Sequence, residues 1–284
     1  MTLTGVGYSV EGVLMELRQI KEIIDSADAI LVGAGAGMGV DSGLPDFRGN
    51  SGFWKAYPAI EKLGYSFSEM ANPRWFHENP RLAWGFYGHR LNLYRETQPH
   101  DGFYQILEYV KDKQGGVFVF TSNVDGQFQK AGFTDDFIVE CHGSIHHVQC
   151  IGGCSAITTA DEVVVNVDMD TFLANEPLPK CPKCGALLRP NILMFGDWEW
   201  DGARTDRQNN NFENWLQKNT GSNIVILEFG AGKAVPTVRY MCERIASGFD
   251  ATLIRVNPRD FDGPNGTIGV SAGALQFFED LQSI

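Results

Sequence analysis

Basic residues are scarce in this chain of 284 residues: 23 Lys and Arg stand against 35 Asp and Glu, a formal net charge of −12. Without a basic face to neutralise phosphates, broad nucleic-acid binding is excluded. A basic peptide partner is not, although an acidic surface is ordinarily only a solvated one. Long apolar runs are missing too. The longest uncharged stretch in the first quarter, Ala29 to Val40, is too short and too rich in glycine to cross a bilayer, so no membrane partner is expected. No apolar segment precedes the first basic residue, Arg18, as a secretory leader would require, and a cytoplasmic location is expected. Internal repeats and low-complexity tracts are also absent, which removes solenoids and disordered linkers. What remains is 43% hydrophobic, enough for one large α/β domain or one domain carrying inserted modules.

Glycine is where the chain is generous. "GAGAGMGVDSGLPDFR" (33–48) holds Gly33, Gly35, Gly37 and Gly39, so its backbone takes positive φ or lies close to something large. It follows Ala29-Ile30-Leu31-Val32, a short buried strand, and strand plus glycine turn is the arrangement that cradles phosphate with backbone N–H groups. The usual dinucleotide fingerprint is not met, since it needs glycine at Met38 or at Val40. A phosphate cradle and a plain α/β turn both fit this loop by itself.

Hydrophobic spacing over residues 10–25 predicts an amphipathic helix leading into the first strand. After Arg48 comes an aromatic, proline-punctuated stretch with a helix expected over Pro80–Arg95, a lid or cleft wall. The α/β pattern resumes with a helix over Gly102–Lys113 and the strands "GVFVFTSN" and "FIVECHG". "EVVVNVDM" reads as a strand of a small separate unit, and "NIVILEFGAG" and "ATLIRVN" as buried parallel strands with a helix between them. The fold expected is a doubly wound, Rossmann-like parallel sheet with two insertions. Residues 1–48, 100–147 and 190–284 would form the sheet domain; 49–99, helical, and 148–189, stapled by metal, would form a small one.

Four of the six cysteines make that staple. Cys150 and Cys154 are spaced C-x3-C, and after 26 residues Cys181 and Cys184 follow as C-x2-C in "CPKCG". Pro182 and Gly185 favour the tight turn that lets two thiolates face one ion. Four thiolates fill a tetrahedral site, so the Zn2+ expected here is structural, with disulfide or reduced cysteines as the rival. His142 and His146 stand four apart, but their strand-to-loop setting favours separate roles over a second metal site. Asn123 and Asp125 lie just past a buried strand, where α/β proteins place ligands. By themselves they equally suit a turn, and His142 in "ECHGS" sits at a strand end of its own.

Taken together, "GAGM", "GLPDFR", "TSNVDGQF", "ECHGS", the paired cysteines, "LRPNILMFG" and "IRVN" resemble, in order and approximate spacing, the sirtuins. The likeness runs from about residue 25 to 275. It implies an NAD-dependent protein-lysine deacylase, with a helical and a zinc module forming a cleft against the NAD-binding sheet. It further implies His142 as general base, Asn123 orienting ribose and water, and Asp125 holding the nicotinamide carboxamide. Gly35, Ala36, Gly37, Asp46, Phe47, Arg48, Ser122, Gly230 and Asn257 complete the implied cofactor site, Asn257 near the adenine ribose. Leu193, Phe195 and Gly196 match a segment that takes an acylated protein substrate as an added strand.

The departures point in two directions. Gly39, Ser122 and Asn191 stand where the family has serine, glutamine and aspartate, and "EFGAGKAVPTVR" (228–239) replaces Gly-Thr-Ser. That segment resembles the macrodomain-linked class M sirtuins, which are protein ADP-ribosyltransferases, although that class lacks the histidine found here at 142. Tyr87 and Arg90 resemble the Tyr-x-x-Arg of class III, which pairs with the carboxylate of succinyl- or malonyl-lysine. A helix face that merely packs fits that pair equally. A non-catalytic NAD-sensing module is the third alternative.

Overall fold

The computed structural model describes residues 10–45, 53 and 57–284. Strands β1 (Ala29–Ala34), β2 (Gly116–Thr121), β3 (Ile138–Glu140), β9 (Ile224–Phe229), β10 (Thr252–Val256) and β11 (Ile268–Val270) form one sheet in the order β11-β10-β9-β1-β2-β3, every pair parallel. Counted along the chain this is the doubly wound order 3-2-1-4-5-6, which reverses between β1 and β9. All six residues of β1 and of β9 are buried, as apolar runs covered on both faces must be.

Helices supply the two covers. Leu17, Ile20 and Ile24 of α1 (Val10–Ser26), Phe103 and Ile106 of α6 (Asp101–Val110), and Phe277, Phe278 and Leu281 of α10 (Ala274–Gln282) pack on one face. Phe212, Trp215 and Leu216 of α8 (Ala203–Lys218) and Val238, Cys242 and Ile245 of α9 (Thr237–Phe249) pack on the other.

A second body stands beside the sheet. Its helices are α2 (Pro58–Leu63), α3 (Phe67–Met70), α4 (Trp75–Glu78) and α5 (Pro80–Glu96). Strands β4 (Gly143–Cys150), β5 (Thr158–Thr159) and β8 (Leu188–Ile192) make an antiparallel sheet, while β6 (Val167–Asp168) and β7 (Leu173–Ala174) pair alone. Trp84, Phe86, Tyr87 and Leu91 of α5 share one core with Ile145 and Val148 of β4 and Leu188 and Ile192 of β8. The divisions expected at 147/148 and 189/190 therefore cut through two strands that share a sheet and a core.

The strand expected over "EVVVNVDM" shrinks to Val167–Asp168. Val163 and Val165 are buried on α5 instead. Side chains of that helix replace a strand neighbour: Arg95 donates to the Val163 carbonyl (2.8 Å) and Asn92 to that of Val165 (2.9 Å). No helix among the described residues is long and apolar enough to cross a membrane.

Candidate active site

The carboxyl ends of the central strands open into a cavity of about 400 Å³. Gly35 and Ala36 reach it from β1, Ser122, Asn123 and Asp125 from β2, His142 from β3 and Gly230 from β9. Leu193 and Phe195, just past β8, and Tyr87 and Arg90 of α5 close it from the small body. At the switch point the β1 and β9 turns touch: Gly35 N–H donates to Phe229 O (3.0 Å) and Gly37 N–H to Gly230 O (3.1 Å). A Cβ on Gly230, whose φ is +59°, would lie 2.3 Å from the Gly37 carbonyl carbon, so glycine is what allows this approach.

Three of the expected site residues do not themselves line this cavity. Gly37 sits in the turn just described, bonded to Gly230, and Gly196 has left-handed backbone (φ +68°) just after Phe195. Asn257 is fully buried. Its amide donates to Ala231 O (3.1 Å) and its oxygen accepts from Arg259 and Asp260 N–H (3.1 and 3.0 Å), so it ties its own turn to the loop after β9 whose Ala231 lines the cavity. Asp46, Phe47 and Arg48 lie outside the described residues.

The polar groups on the wall are held from behind. Asn123 donates through Nδ2 to Gly35 O (3.0 Å), tying the β2 end to the β1 turn. Asp125 accepts from Gln127 N–H (3.0 Å). Burial pushes its carboxyl up to about 6; the Gln127 N–H and the Arg90 guanidinium oppose that, while the Glu140 charge adds to it. His146 Nε2 lies 2.9 Å from Asp125 O; a carbonyl only accepts, so Nε2 carries the proton. Burial also holds His142 below the ordinary imidazole value, against a smaller opposing contact with the Ser122 backbone. At neutral pH this imidazole is therefore unprotonated and able to accept a proton.

Arg90 is buried in a cage of the Phe86, Tyr87 and Tyr94 rings, and its Nε and Nη2 donate to Tyr94 Oη (3.1 and 2.8 Å). Tyr94 lines the cavity too, a residue that the motifs do not single out. A signal for it exists: it lies seven residues after Tyr87 and four after Arg90, on the same helix face. Tyr87 Oη is buried without a hydrogen-bond partner among the described residues.

The four cysteines converge as their spacing predicted. Cys150, Cys154, Cys181 and Cys184 bring their sulfurs within 4.8 Å of one another, with separations of 3.6 Å (150–184), 3.7 Å (150–154) and 3.5 Å (154–181). A disulfide is about 2.05 Å; a tetrahedral Zn2+ with bonds of about 2.3 Å needs sulfurs about 3.8 Å apart. The donor set therefore fits structural Zn2+, and the disulfide rival fails. Backbone N–H groups of Cys184 and Lys183 hold the Cys181 thiol down at about 6, which favours the thiolate a metal requires.

The Sir2 family model matches residues 35–221, well over half of the chain. This chain belongs to the Sir2 family. Among curated proteins it is 34% identical over 182 residues to an NAD-dependent protein deacylase of Pyrococcus furiosus, covering 64% of this chain and 66% of that protein. It is 33% identical over 183 residues to NAD-dependent protein deacylase 1 of Caldanaerobacter subterraneus, covering 64% and 67%. The match thus spans about two thirds of these relatives' length. Solved folds agree: a Sir2 homolog in complex with NAD superposes at TM-score 0.67 and 22% identity, covering 94% of this chain and 93% of that one. Sir2Tm bound to a propionylated peptide superposes at 0.67 and 17% identity, covering 95% and 98%.

Three of the four departures from the sirtuin pattern have structural accounts; Ser122 has none. A Cβ on Gly39 would sit 3.2 Å from Leu44 Cδ1 and 3.7 Å from Asp125 Oδ2, so glycine leaves room above the carboxylate. Asn191 is fully buried and donates to Gln149 Oε1 (2.9 Å) and Asp201 O (2.8 Å), roles an ionised aspartate lacks the protons to play. In the segment resembling class M, Glu228 accepts from Arg255 Nε and Nη2 (2.6 and 2.9 Å), and Arg239 donates to Asp260 O and Asp262 O (2.5 and 2.7 Å). Both charges serve the fold.

Proposed function

We propose that this sirtuin is an NAD-dependent protein-lysine deacylase, and the observation that carries the reading is that Asn123, Asp125 and His142 line one cavity at the carboxyl ends of the sheet. When bound, NAD supplies an ADP-ribosyl group with nicotinamide as leaving group, so the acyl-lysine carbonyl oxygen can take the ribose carbon. The Gly35–Ala36 turn and Gly230 would offer the backbone approach for the dinucleotide, and Asp125 would accept hydrogen bonds from the carboxamide. Asn123, fixed by Gly35 O, orients the ribose side. His142 would take a proton from a ribose hydroxyl of the bound dinucleotide, a task its neutral imidazole suits. Asp46, Phe47 and Arg48 belong to the same reading as the cofactor loop.

The acylated peptide lies along Leu193–Phe195. The N–H groups of that segment are already taken: Leu193 donates to His142 O (2.9 Å), Met194 to the Asp197 carboxylate (3.2 Å) and Phe195 to Ala71 O (3.0 Å). The peptide must therefore donate to carbonyls. The buried Tyr87 hydroxyl and the Arg90 guanidinium at the cavity wall favour acyl groups that end in a carboxylate. The cytoplasm is the compartment proposed, in keeping with thiol ligation.

ADP-ribosyl transfer to protein is the weaker reading, because Glu228 and Arg239 of the class M-like segment are engaged inside the fold. The test pairs the wild type with His142→Ala on acetyl-, succinyl- and malonyl-lysine peptides with labelled NAD. Acyl-ADP-ribose in solution from the wild type, at least about 100-fold reduced in the variant at unchanged zinc content and melting temperature, is expected. Label left on protein would favour transfer, and undiminished turnover by the variant would remove His142 from the chemistry.

A further inference from the structure

β3 is three residues long and forms the edge of the sheet, hydrogen-bonded to β2 alone among the described strands. So short an edge strand has few ladder bonds to fix it, yet His142 follows its last residue by two positions. Cys141 N–H points inward to Thr121 O (2.9 Å). Glu140 points its main chain outward, toward α8 rather than toward another strand. There Gln208 Oε1 accepts from Glu140 N–H (3.1 Å) and Thr205 Oγ1 donates to Glu140 O (3.1 Å). Arg204 Nη2 lies 2.5 Å from Glu140 Oε2. All four residues are buried.

Two side chains of α8, Thr205 and Gln208, thus take the place of a missing strand on a single residue, and Arg204 pairs with that residue's carboxylate. The helix is itself anchored at its start. Asp201, two residues before it, donates its N–H to Gln149 Oε1 (3.1 Å) and accepts at its carbonyl from Asn191 Nδ2 (2.8 Å), both from the small sheet. The same small sheet's continuation, Leu193 N–H, donates to His142 O. The imidazole is therefore set between two tethers, one of which is α8.

We propose that Thr205 and Gln208 are positioning residues for His142, holding the end of β3 in register through the main chain of Glu140. The proposal rests on the deacylase reading. A base misplaced by about 1 Å can lose about 100-fold in rate, and one lost hydrogen bond is worth about fivefold. The consequence is selective. Cleavage of nicotinamide precedes the proton transfer to His142, so only the later step feels the change.

The experiment measures two rates on each of wild type, Thr205→Val, Gln208→Leu and Thr205→Ser: exchange of labelled nicotinamide into NAD, and net release of deacylated peptide. Thr205→Val and Gln208→Leu are expected to lose about fivefold in the kcat of deacylation, with exchange and the KM for NAD unchanged. Thr205→Ser, which keeps the hydroxyl, is expected to restore the wild-type ratio. Parallel loss of both rates, or loss of melting temperature with neither rate changed, would make the contacts purely structural and overturn the proposal. Wild-type protein that performs neither reaction on any acyl peptide would sink the deacylase reading itself, and this proposal with it. If Gln208→Leu fails to fold, the Val and Ser variants at 205 carry the comparison.

Discussion

The two halves of this molecule are held together by different means. In the sheet domain, strands as long as six residues run fully buried between two helical layers, and apolar contact with regular parallel pairing does the work. In the small body three of the strands are two residues long, and both residues of β5 are exposed. There, side chains reach across to backbone carbonyls: Arg81 to Ala174 (2.9 Å), Asn92 to Val165, Arg95 to Val163, and Trp84 Nε1 to Leu188 (2.9 Å). Four thiols complete it. A loop-rich module with little regular pairing depends on its staple, whereas a six-stranded sheet does not.

Removing the staple should therefore separate the halves, and it is the largest effect expected. Cys181→Ser should abolish stoichiometric zinc, measured by atomic emission, since zinc-peptide sites contribute about 10 kcal/mol or more. Deacylation should vanish with it, because β8 and α5 supply one wall of the cavity. Far-UV circular dichroism should retain the helices of the sheet domain, with hydrogen exchange still slow in β1 and β9. Collapse of the whole spectrum would show that the two halves are one cooperative unit.

A smaller effect probes the sheet side alone. Asp125, raised to about 6 by burial, is ionised above that pH and protonated below it. Only the anion accepts from a carboxamide through both oxygens, so kcat/KM should fall about fivefold from pH 6 to pH 5. The raised value means the carboxylate, not the acid, is the form the fold disfavours, so this loss of activity is not accompanied by acid unfolding at this residue. Asp125→Asn should lower kcat/KM at neutral pH and flatten that limb, leaving the titration of His142. An unchanged limb would mean that the carboxyl group does not govern it.

The same contrast explains what was legible in the sequence. Buried parallel strands announce themselves as apolar runs, so β1, β2, β9 and β10 could be read directly, and Asn123 and Asp125 could be placed just past β2, whereas their roles and that of His142 came only from the likeness to the sirtuins. The zinc cysteines could be read from spacing. By contrast, β8 ("LRPNI") and β4 ("GSIHHVQC") hide in polar letters, because Arg189, Asn191 and Gln149 are buried while bonded to one another's loops: Arg189 to Asp197 and Ile192 O, and Asn191 to Gln149. α8 shows only Phe212, Trp215 and Leu216 in a run of Asn, Gln and Arg, too narrow a stripe to reveal that its first turns grip Glu140. Asn257 matched a binding position by likeness, yet the following "PRD" lets its oxygen cap Arg259 and Asp260, a local turn that motif matching passes over. Interactions between distant polar side chains leave no periodic trace, and that is where this site's support lies.

The smallest effect asks how far the halves are coupled when neither is broken. α5 begins at Pro80, with Asn79 as its N-cap: the Asn79 oxygen accepts from Leu82 N–H at 3.1 Å. Asn79→Ala should cost about 1 kcal/mol, the usual worth of a capping side chain. Its side chain bonds within its own helix turn, so the loss should fall on the opening of α5 alone. Amide exchange over Pro80–Glu96 should speed by about fivefold, with that of β1 and β9 unchanged. Because Tyr87, Arg90 and Tyr94 ride on this helix, the KM for a succinyl peptide should rise while that for an acetyl peptide moves less. Equal acceleration in helix and sheet would mean that α5 opens only when the whole chain does, so the two stabilising schemes, however different in chemistry, would share a single unfolding transition.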